Sequence, residues 1–309
     1  MNSPLRIGTR GSPLALWQAR HVADLLRPLA APRAVELIEI ETIGDRIRDV
    51  ALSQIGGDGV FTKEIQRALL AGAVDVAVHS LKDLPTTFVA GLTLAAVPAR
   101  GPSGDVFVSR KHTHFDELPQ GAVIGTSSLR RRSQALHRRP DLKLLNVRGN
   151  VETRLRKLDE QNFDAIILAE AGLRRLGLES AITEILDPQW MLPAIGQGAL
   201  GLECRTDDTV TLGLLGSLNH LPTRQAVLAE RALLRGLGGG CLVPIGASAH
   251  IAGDRLMLRG VVLSPEGTQR IAAEMNGTAS EAEAIGQGLA EMLLASGARE
   301  LLNSRDSEE

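Results

Sequence analysis

The heptapeptide "VDVAVHS" is an almost unbroken apolar run bounded by a Gly-containing segment before it and a polar turn after it. A half-buried strand would alternate apolar and polar residues, whereas a continuous run fits a strand covered on both faces, the situation of a parallel sheet flanked by helices. What surrounds it agrees. "LRIGTR" reads as a strand and "GSPLALWQARHVADLLRPLA" as a helix, with Ser12 as N-cap, Pro13 as the first helical residue, and Leu14, Trp17, Val22, Leu25 and Leu29 as its apolar stripe. "AVELIEIET" follows as a strand, a Gly-rich loop "GDRIRDVALSQIGGDGVF" intervenes, and "TKEIQRALLAGA" is a helix. This alternation of strand and helix predicts an α/β domain.

The pattern restarts after the linker "VPARGPSGD" with "DVFVSR", "AVIGTSSLRRRSQALHRR", "LKLLNVRG", "NVETRLRKLDEQ" and "DAIILAEAGLRRLGL". From Leu221 the composition changes. One helix, "PTRQAVLAERALLRGL", leads into a stretch with turn signals at "AGD" and "SPEG", which predicts an antiparallel meander. The final helix is expected to open on a capping box of Ser280 and Glu283. A chain of 309 residues exceeds one ordinary core and divides into two or three domains of roughly 100 residues each.

Composition excludes several functions. With five Phe, two Trp and no Tyr, the core is aliphatic and offers no platform for stacking nucleic-acid bases. A formal charge of −2 argues against a general polyanion binder. No apolar run approaches the roughly 20 residues that span a bilayer, and no secretory h-region is visible at the start, so a cytoplasmic protein without membrane partners is expected. Cys204 and Cys241 cannot build a disulfide framework or a zinc site, and the seven His form no helix-spaced pair, so no metal is expected.

Four stretches could carry chemistry. In "IGTSSLRRRSQ", Thr126, Ser127 and Ser128 lead from a strand into a helix, a place for an anion or merely an ordinary N-cap. Ten cations, from Arg130 to Lys157, stand against only Asp141 and Glu152. Of these, Arg138, Arg139, Arg156 and Lys157 read as a solvated face. By contrast Arg10, Arg130, Arg148 and Arg175 fall at or just after predicted strand ends, where open α/β sheets bind ligands, and their planar forks suit a ligand with several carboxylates. "VHSLKDLPT" ends a buried strand in Lys82 and Asp83, a surface turn or an acid–base group. Finally, "GLGGGCLVPIGA" sets Cys241 after three glycines, as a small buried residue of a turn or as a thiol that something bulky can reach.

Taken together, "IGTRGSPLALWQA", "VAVHSLKDLPT", "IGTSSLRRRSQ", "LNVRGNVETRL", "LPAIGQGALGLECR" and "ERALLRGLGGGCLVPIGA" resemble, in order and spacing over nearly the whole chain, the porphobilinogen deaminase (hydroxymethylbilane synthase) family. The resemblance implies a transferase of haem and tetrapyrrole biosynthesis that joins four porphobilinogen units head to tail, releasing ammonia. Its primer is a dipyrromethane cofactor held by a thioether to the cysteine matching Cys241. Asp83 matches the catalytic aspartate, which stabilises the cation left when ammonia departs and assists proton transfer. Lys82, Asp83, Ser128, Arg130, Arg131 and Arg154 match residues that hold the cofactor; Arg10, Ser12, Gln18, Thr126, Arg148 and Arg175 match contacts to substrate and growing chain. Each pyrrole carries an acetate and a propionate, which accounts for the arginines. Arg132 has no assignable role, and Cys204 is expected to be a core thiol.

The implied fold is α/β. It has two similar doubly wound lobes of the two-lobed solute-binding-protein type, at 1–98 with 199–216 and at 104–192, and a smaller α/β C-terminal domain with an antiparallel sheet at 221–309. A monomer is implied. One departure stands out: Gln54 and Asp58 occupy positions where the family pattern has lysines, while Asp45 and Phe61 fit it. Two other classes share features of the sequence. A two-lobed anion-binding protein would have no use for a reactive Cys241, and a cysteine hydrolase would want a His base near that thiol.

Overall fold

The computed structural model describes residues 3–46, 59–87, 89–239 and 243–303. It divides into two compact units, Met1–Gly101 with Ala199–Arg224, and Pro102–Gly198 with Gln225–Glu309.

In the first unit β1 (Leu5–Thr9) enters α1 (Pro13–Ala30), followed by β2 (Val35–Glu39), the short α2 (Ile43–Arg46), α3 (Lys63–Leu70), β3 (Val76–Ser80) and β4 (Leu92–Ala96). β5 to β9 belong to the second unit; the chain returns as β10 (Leu200–Arg205) and α7 (Thr209–Gly216). The sheet order is β2-β1-β3-β10-β4, with β1 parallel to β2 and β3, and β10 antiparallel to its neighbours. Ser12 does cap α1, accepting from the Ala15 N–H at 3.3 Å, and Pro13 follows it. The expected stripe is corrected, because Trp17, Leu25 and Leu29 are exposed and only Val22 of that set is buried. The buried face is Ala19, Val22, Ala23, Leu26 and Ala30, where small side chains let the helix axis approach the sheet closely.

Asp75, one residue before β3, is 5 % exposed and collects three arginines: Arg6 at 2.9 Å, Arg33 at 3.3 Å and Arg205 at 3.4 Å. Burial opposes its ionisation, but Arg6, which donates from both side chain and backbone, and Arg205 outweigh that and hold its carboxyl below the usual range. Cys204 lies in the core of the same sheet, fully buried among Leu200, Leu202 and Leu215, and burial raises its thiol to about 11.

In the second unit β5 (Asp105–Val108), β6 (Val123–Gly125), α4 (Leu129–Arg138), β7 (Lys143–Leu145), α5 (Val151–Glu160), β8 (Ala165–Ala169), α6 (Glu170–Arg175) and β9 (Glu184–Ile185) form a sheet of order β7-β6-β8-β5-β9. β6 runs parallel to β7 and β8 while β5 is antiparallel to β8 and β9. After α8 (Leu221–Gly236) comes the expected meander, β11 (Ile245–Ala252), β12 (Arg255–Leu263) and β13 (Arg270–Thr278), antiparallel throughout and packed against α8 and α9 (Ala282–Leu293). The turn between β12 and β13 lies directly on α4. Gly267 has a φ of +72°, and a Cβ there would come within 2.4 Å of the Ser133 carbonyl oxygen, so only glycine permits the contact.

The capping box expected at Ser280 and Glu283 is also corrected. The Ala279 N–H donates to the Asp254 carbonyl, the chain turns as a 3-10 segment over Ala279–Glu281, and α9 starts at Ala282, one residue later than expected, with Glu281 in the N-cap position and no side-chain cap. Ser280 therefore sits inside that turn.

Asp75→Asn should lower stability by about 1–3 kcal/mol at neutral pH, below the full cost of breaking a buried pair because the three arginines are partly solvated. A depressed carboxyl contributes its stability above the unfolded value and loses it as pH falls, so the gap to wild type should close below about pH 4. Thermal unfolding of both proteins across that range measures it, and a gap independent of pH would contradict the ionic account. Cys204 should resist a small alkylating agent at pH 8 while the protein is folded and react once it is denatured, as read by peptide mass.

Candidate active site

Each unit presents its own set of the residues singled out by sequence. In the first, β1 ends at Thr9 and delivers Arg10 and Ser12 to the start of α1. Arg10 is engaged: its Nη2 and Nε donate to the two carboxylate oxygens of Asp45 at 2.6 and 3.2 Å, and its guanidinium lies 4.0 Å over the Phe61 ring. Asp45 also accepts from the Thr42 hydroxyl at 2.7 Å; although burial opposes ionisation, these donors hold its carboxyl low. Gln18, 2 % exposed, donates to the Ser80 hydroxyl at 2.9 Å. Ser80 closes β3, and the next residues, Leu81–Asp83, form a 3-10 turn that presents half-buried Lys82 and Asp83 while Leu81 anchors it in the core. Beneath that turn His79, Glu203 and Gln66 form a buried cluster. Gln66 Nε2 donates to Glu203 at 3.1 Å, and His79 Nε2 lies 2.9 Å from the same carboxylate without hydrogen-bond alignment.

In the second unit the chain leaves β6 through Thr126 and Ser128. The Thr126 hydroxyl accepts from the Ser128 N–H at 3.2 Å, and Ser128 caps α4 by accepting from the Arg131 N–H at 3.4 Å. The next turn holds Arg130 and Arg131, expected to face a ligand and found 4 % and 5 % exposed around a single carboxylate, Asp105. Arg130 Nη1 donates to Asp105 Oδ2 at 2.6 Å; Arg131 Nε and Nη2 donate to Oδ1 at 3.0 and 2.8 Å; Gln197 Nε2 donates to Oδ1 at 2.9 Å. Burial of Asp105 opposes its charge, yet the two guanidiniums and the amide hold the carboxyl far below its usual range. Sequence reasoning missed Asp105. Its one signal was an acid at the first position of an apolar strand, "DVFVSR", with no local partner.

The other arginines divide. Arg148 is half-buried after β7, and Arg154, in the first turns of α5, donates from Nε to the Gly149 carbonyl at 2.9 Å. Arg175 was expected near a strand end but closes α6, six residues beyond β8. From there it donates to the Gly198 carbonyl at 2.6 Å, and burial lowers it to about 10. Arg132 donates to the Leu144 carbonyl at 3.3 Å and so ties α4 to β7. Arg139, expected in solvent, is corrected. It pairs with Asp141 at 2.8 Å and donates to the Leu118 carbonyl at 2.9 Å, closing the loop before β6. Cys241, and with it the expected cofactor link, lies outside the described residues, as do Gln54 and Asp58. Among the described residues no helix is long and apolar enough to cross a membrane.

Comparison with known proteins gives consistent results. Residues 5–212 match the family profile described as porphobilinogen deaminase, dipyromethane cofactor binding domain, and residues 224–295 match porphobilinogen deaminase, C-terminal domain. The porphobilinogen deaminase of Trichlorobacter lovleyi is 52% identical over 298 residues, which are 96% of this chain and 95% of that protein. That of Pelotomaculum thermopropionicum is 50% identical over 309 residues, 100% of this chain and 99% of that one. Among solved structures, a periplasmic substrate-binding protein of an ABC transporter from Coxiella burnetii covers 73% of this chain and 94% of its own at a TM-score of 0.43 and 17% identity. With both profiles matched in order and half of all residues shared along the full length, the chain belongs to the porphobilinogen deaminase family.

Proposed function

We propose that this protein is a hydroxymethylbilane synthase, which links four porphobilinogen molecules head to tail on a dipyrromethane primer carried by Cys241. The observation that carries the reading is the charge balance at the start of α4, where two buried guanidiniums share the one carboxylate of Asp105. The Nε–H of Arg130 is buried there without a hydrogen-bond partner. A buried donor in that state fits a carboxylate ligand, and the acetate and propionate groups of pyrroles are carboxylates.

The roles proposed for the residues are those that the family resemblance implies. Arg130 and Arg131, with Ser128 and Arg154, hold carboxylates of the primer, and Lys82 adds a cation in the first unit. The primer itself supplies the nucleophilic pyrrole carbon to which the first substrate is joined. Asp83, held on a short turn by the buried Leu81, accepts N–H bonds from the reacting pyrrole and stabilises the positive charge that appears on the substrate as ammonia leaves. A carboxylate in that position also passes a proton to the leaving amine and takes one from the new ring junction. Arg10, Ser12, Gln18, Thr126, Arg148 and Arg175 hold substrate and growing chain. For Arg10 this means sharing its guanidinium with Asp45 or exchanging it. The same reading divides the chain into three domains, 1–98 with 199–216, 104–192 and 221–309, and makes the enzyme a cytoplasmic monomer.

Intact mass tests it. Wild-type protein should carry an adduct equal to two linked pyrroles, and Cys241→Ser should lack it while remaining folded, because a hydroxyl is a far poorer nucleophile than a thiolate. An adduct retained in Cys241→Ser would overturn the assignment of the link. Asp83→Asn should keep the adduct and lose about 10²–10³ in turnover of porphobilinogen, the scale seen when a main electrostatic stabiliser is removed. Near-normal turnover in that variant would move the acid–base role elsewhere.

A further inference from the structure

We propose that Gly201 of β10 is a positioning residue for Asp83: the space left by its missing side chain seats Leu81, and the depth of that seat sets where the 3-10 turn presents the Asp83 carboxylate. The inference rests on the function proposed above and goes beyond it by giving a role to a strand glycine outside the set of binding residues.

Asp83 depends on its turn for its place. Among the described residues its carboxylate makes no hydrogen bond or ion pair, so only the backbone of Leu81–Asp83 holds it. That turn is fixed at its base. The Leu81 N–H donates to the Ala199 carbonyl at 3.0 Å, the Leu84 N–H closes the turn on the Leu81 carbonyl at 3.2 Å, and the side chains of Leu81 and Leu84 are buried. Leu81 lies against β10. A Cβ on Gly201 would stand 2.8 Å from Leu81 Cδ1, 3.2 Å from Leu94 Cδ1 and 3.6 Å from Leu84 Cδ2. Carbon atoms in contact keep about 3.5–4.0 Å, so an added methyl would require Leu81 to move by roughly 0.7 Å or more. Leu84 and Leu94 crowd the same spot, which leaves a rotamer change of Leu81 little room.

The glycine answers to space rather than to backbone freedom. Gly201 lies within β10 and is not one of the residues with positive φ, so other residues could adopt its backbone. A glycine inside a strand weakens it and marks a place where something approaches closely; here that is the anchor of the turn. Of the two partners β10 is the less able to yield. It is paired on both edges, with β3 and β4, and two residues beyond Gly201 the buried Glu203 accepts from Gln66 Nε2 at 3.2 and 3.1 Å on its two oxygens. Displacement therefore passes to Leu81 and, through a turn of three residues, to Asp83.

Steady-state turnover of porphobilinogen, normalised to the folded protein that carries the adduct, tests this. Gly201→Ala should keep the adduct and the circular dichroism of wild type, lower kcat about 10- to 100-fold, and leave KM within about threefold, the pattern of a misplaced catalytic group. The double variant Gly201→Ala/Leu81→Val shortens the side chain that the new methyl displaces, and its kcat should exceed that of Gly201→Ala by about fivefold or more. A merely structural role would lower the melting temperature and the folded fraction while each adduct-bearing molecule kept wild-type kcat. Wild-type kcat in folded Gly201→Ala, or no recovery in the double variant, would overturn the proposal. Should Gly201→Ala not fold, Leu81→Ala decides, because it removes the anchor without adding bulk: kcat should fall about tenfold or more with the adduct retained, and wild-type kcat would sink the proposal. A wild-type protein with neither adduct nor turnover would instead refute the proposed function on which this inference stands.

Discussion

A carboxylate with no exposed surface, fixed between two guanidiniums, is the interaction on which much of the second unit depends. Stripped of water, each of these three charges is costly to bury alone, so the cluster forms as a whole or not at all. Its partners spread widely. Arg131 reaches the Ile167 carbonyl in β8, Arg130 and Gln134 both donate to the Leu192 carbonyl, and Gln197 draws in Ser103 and Gly104 ahead of β5. The segment around Leu192 then meets the antiparallel sheet, where the Ala247 N–H donates to the Pro193 carbonyl and a Cβ on Gly246 would stand 2.9 Å from that of Leu192. One ion cluster thus ties the start of a helix to two sheets.

The first unit uses a similar device for a different end. Asp75 also gathers arginines, but they are partly solvated and come from β1, the segment before β2 and the end of β10, and Asp75 itself stands at the other end of β3 from the turn that carries Asp83. Its backbone role has a counterpart in the second unit. Asp75 accepts from the Arg6 N–H at 2.9 Å as Asp164 accepts from the Val123 N–H at 2.8 Å, each just before a central strand. The two five-stranded sheets share one plan, with three parallel strands followed by an antiparallel one, β10 in the first sheet and β5 in the second. Even the helix entries agree: Ser12 and Gln18 stand at the same spacing as Ser128 and Gln134, each serine capping its helix.

The run of cations from Arg130 to Lys157 looks uniform and is not. Arg156 faces solvent beside Glu160, Arg139 closes a loop on Asp141, Arg132 laces a helix to a strand, and Arg130 and Arg131 are buried on Asp105. Neighbouring positions on a helix point about 100° apart, so adjacent arginines meet different surroundings. What Arg130 and Arg131 meet comes from a strand 25 and 26 positions away, beyond any local pattern.

What the sequence determined by itself is local or recurrent. The doubly covered strand at Val76–Ser80, the Ser12 cap, the meander after Leu221 and the place of Asp83 at a strand end are set by neighbours within a few residues, and the order of six motifs identified the family. Tertiary structure decided the rest. It chose the alanine face of α1 over the larger apolar residues, because packing distance to the sheet rather than hydrophobicity alone selects the buried side. It moved the start of α9, because a backbone bond to Asp254 bends the chain first. It also brought Asp105 to Arg130 and Arg131 and Glu203 to His79, pairs that lie 25, 26 and 124 positions apart and meet only when strands align. A charge carries no local mark of its partner, since Coulomb attraction depends on distance in space and on the water that folding removes.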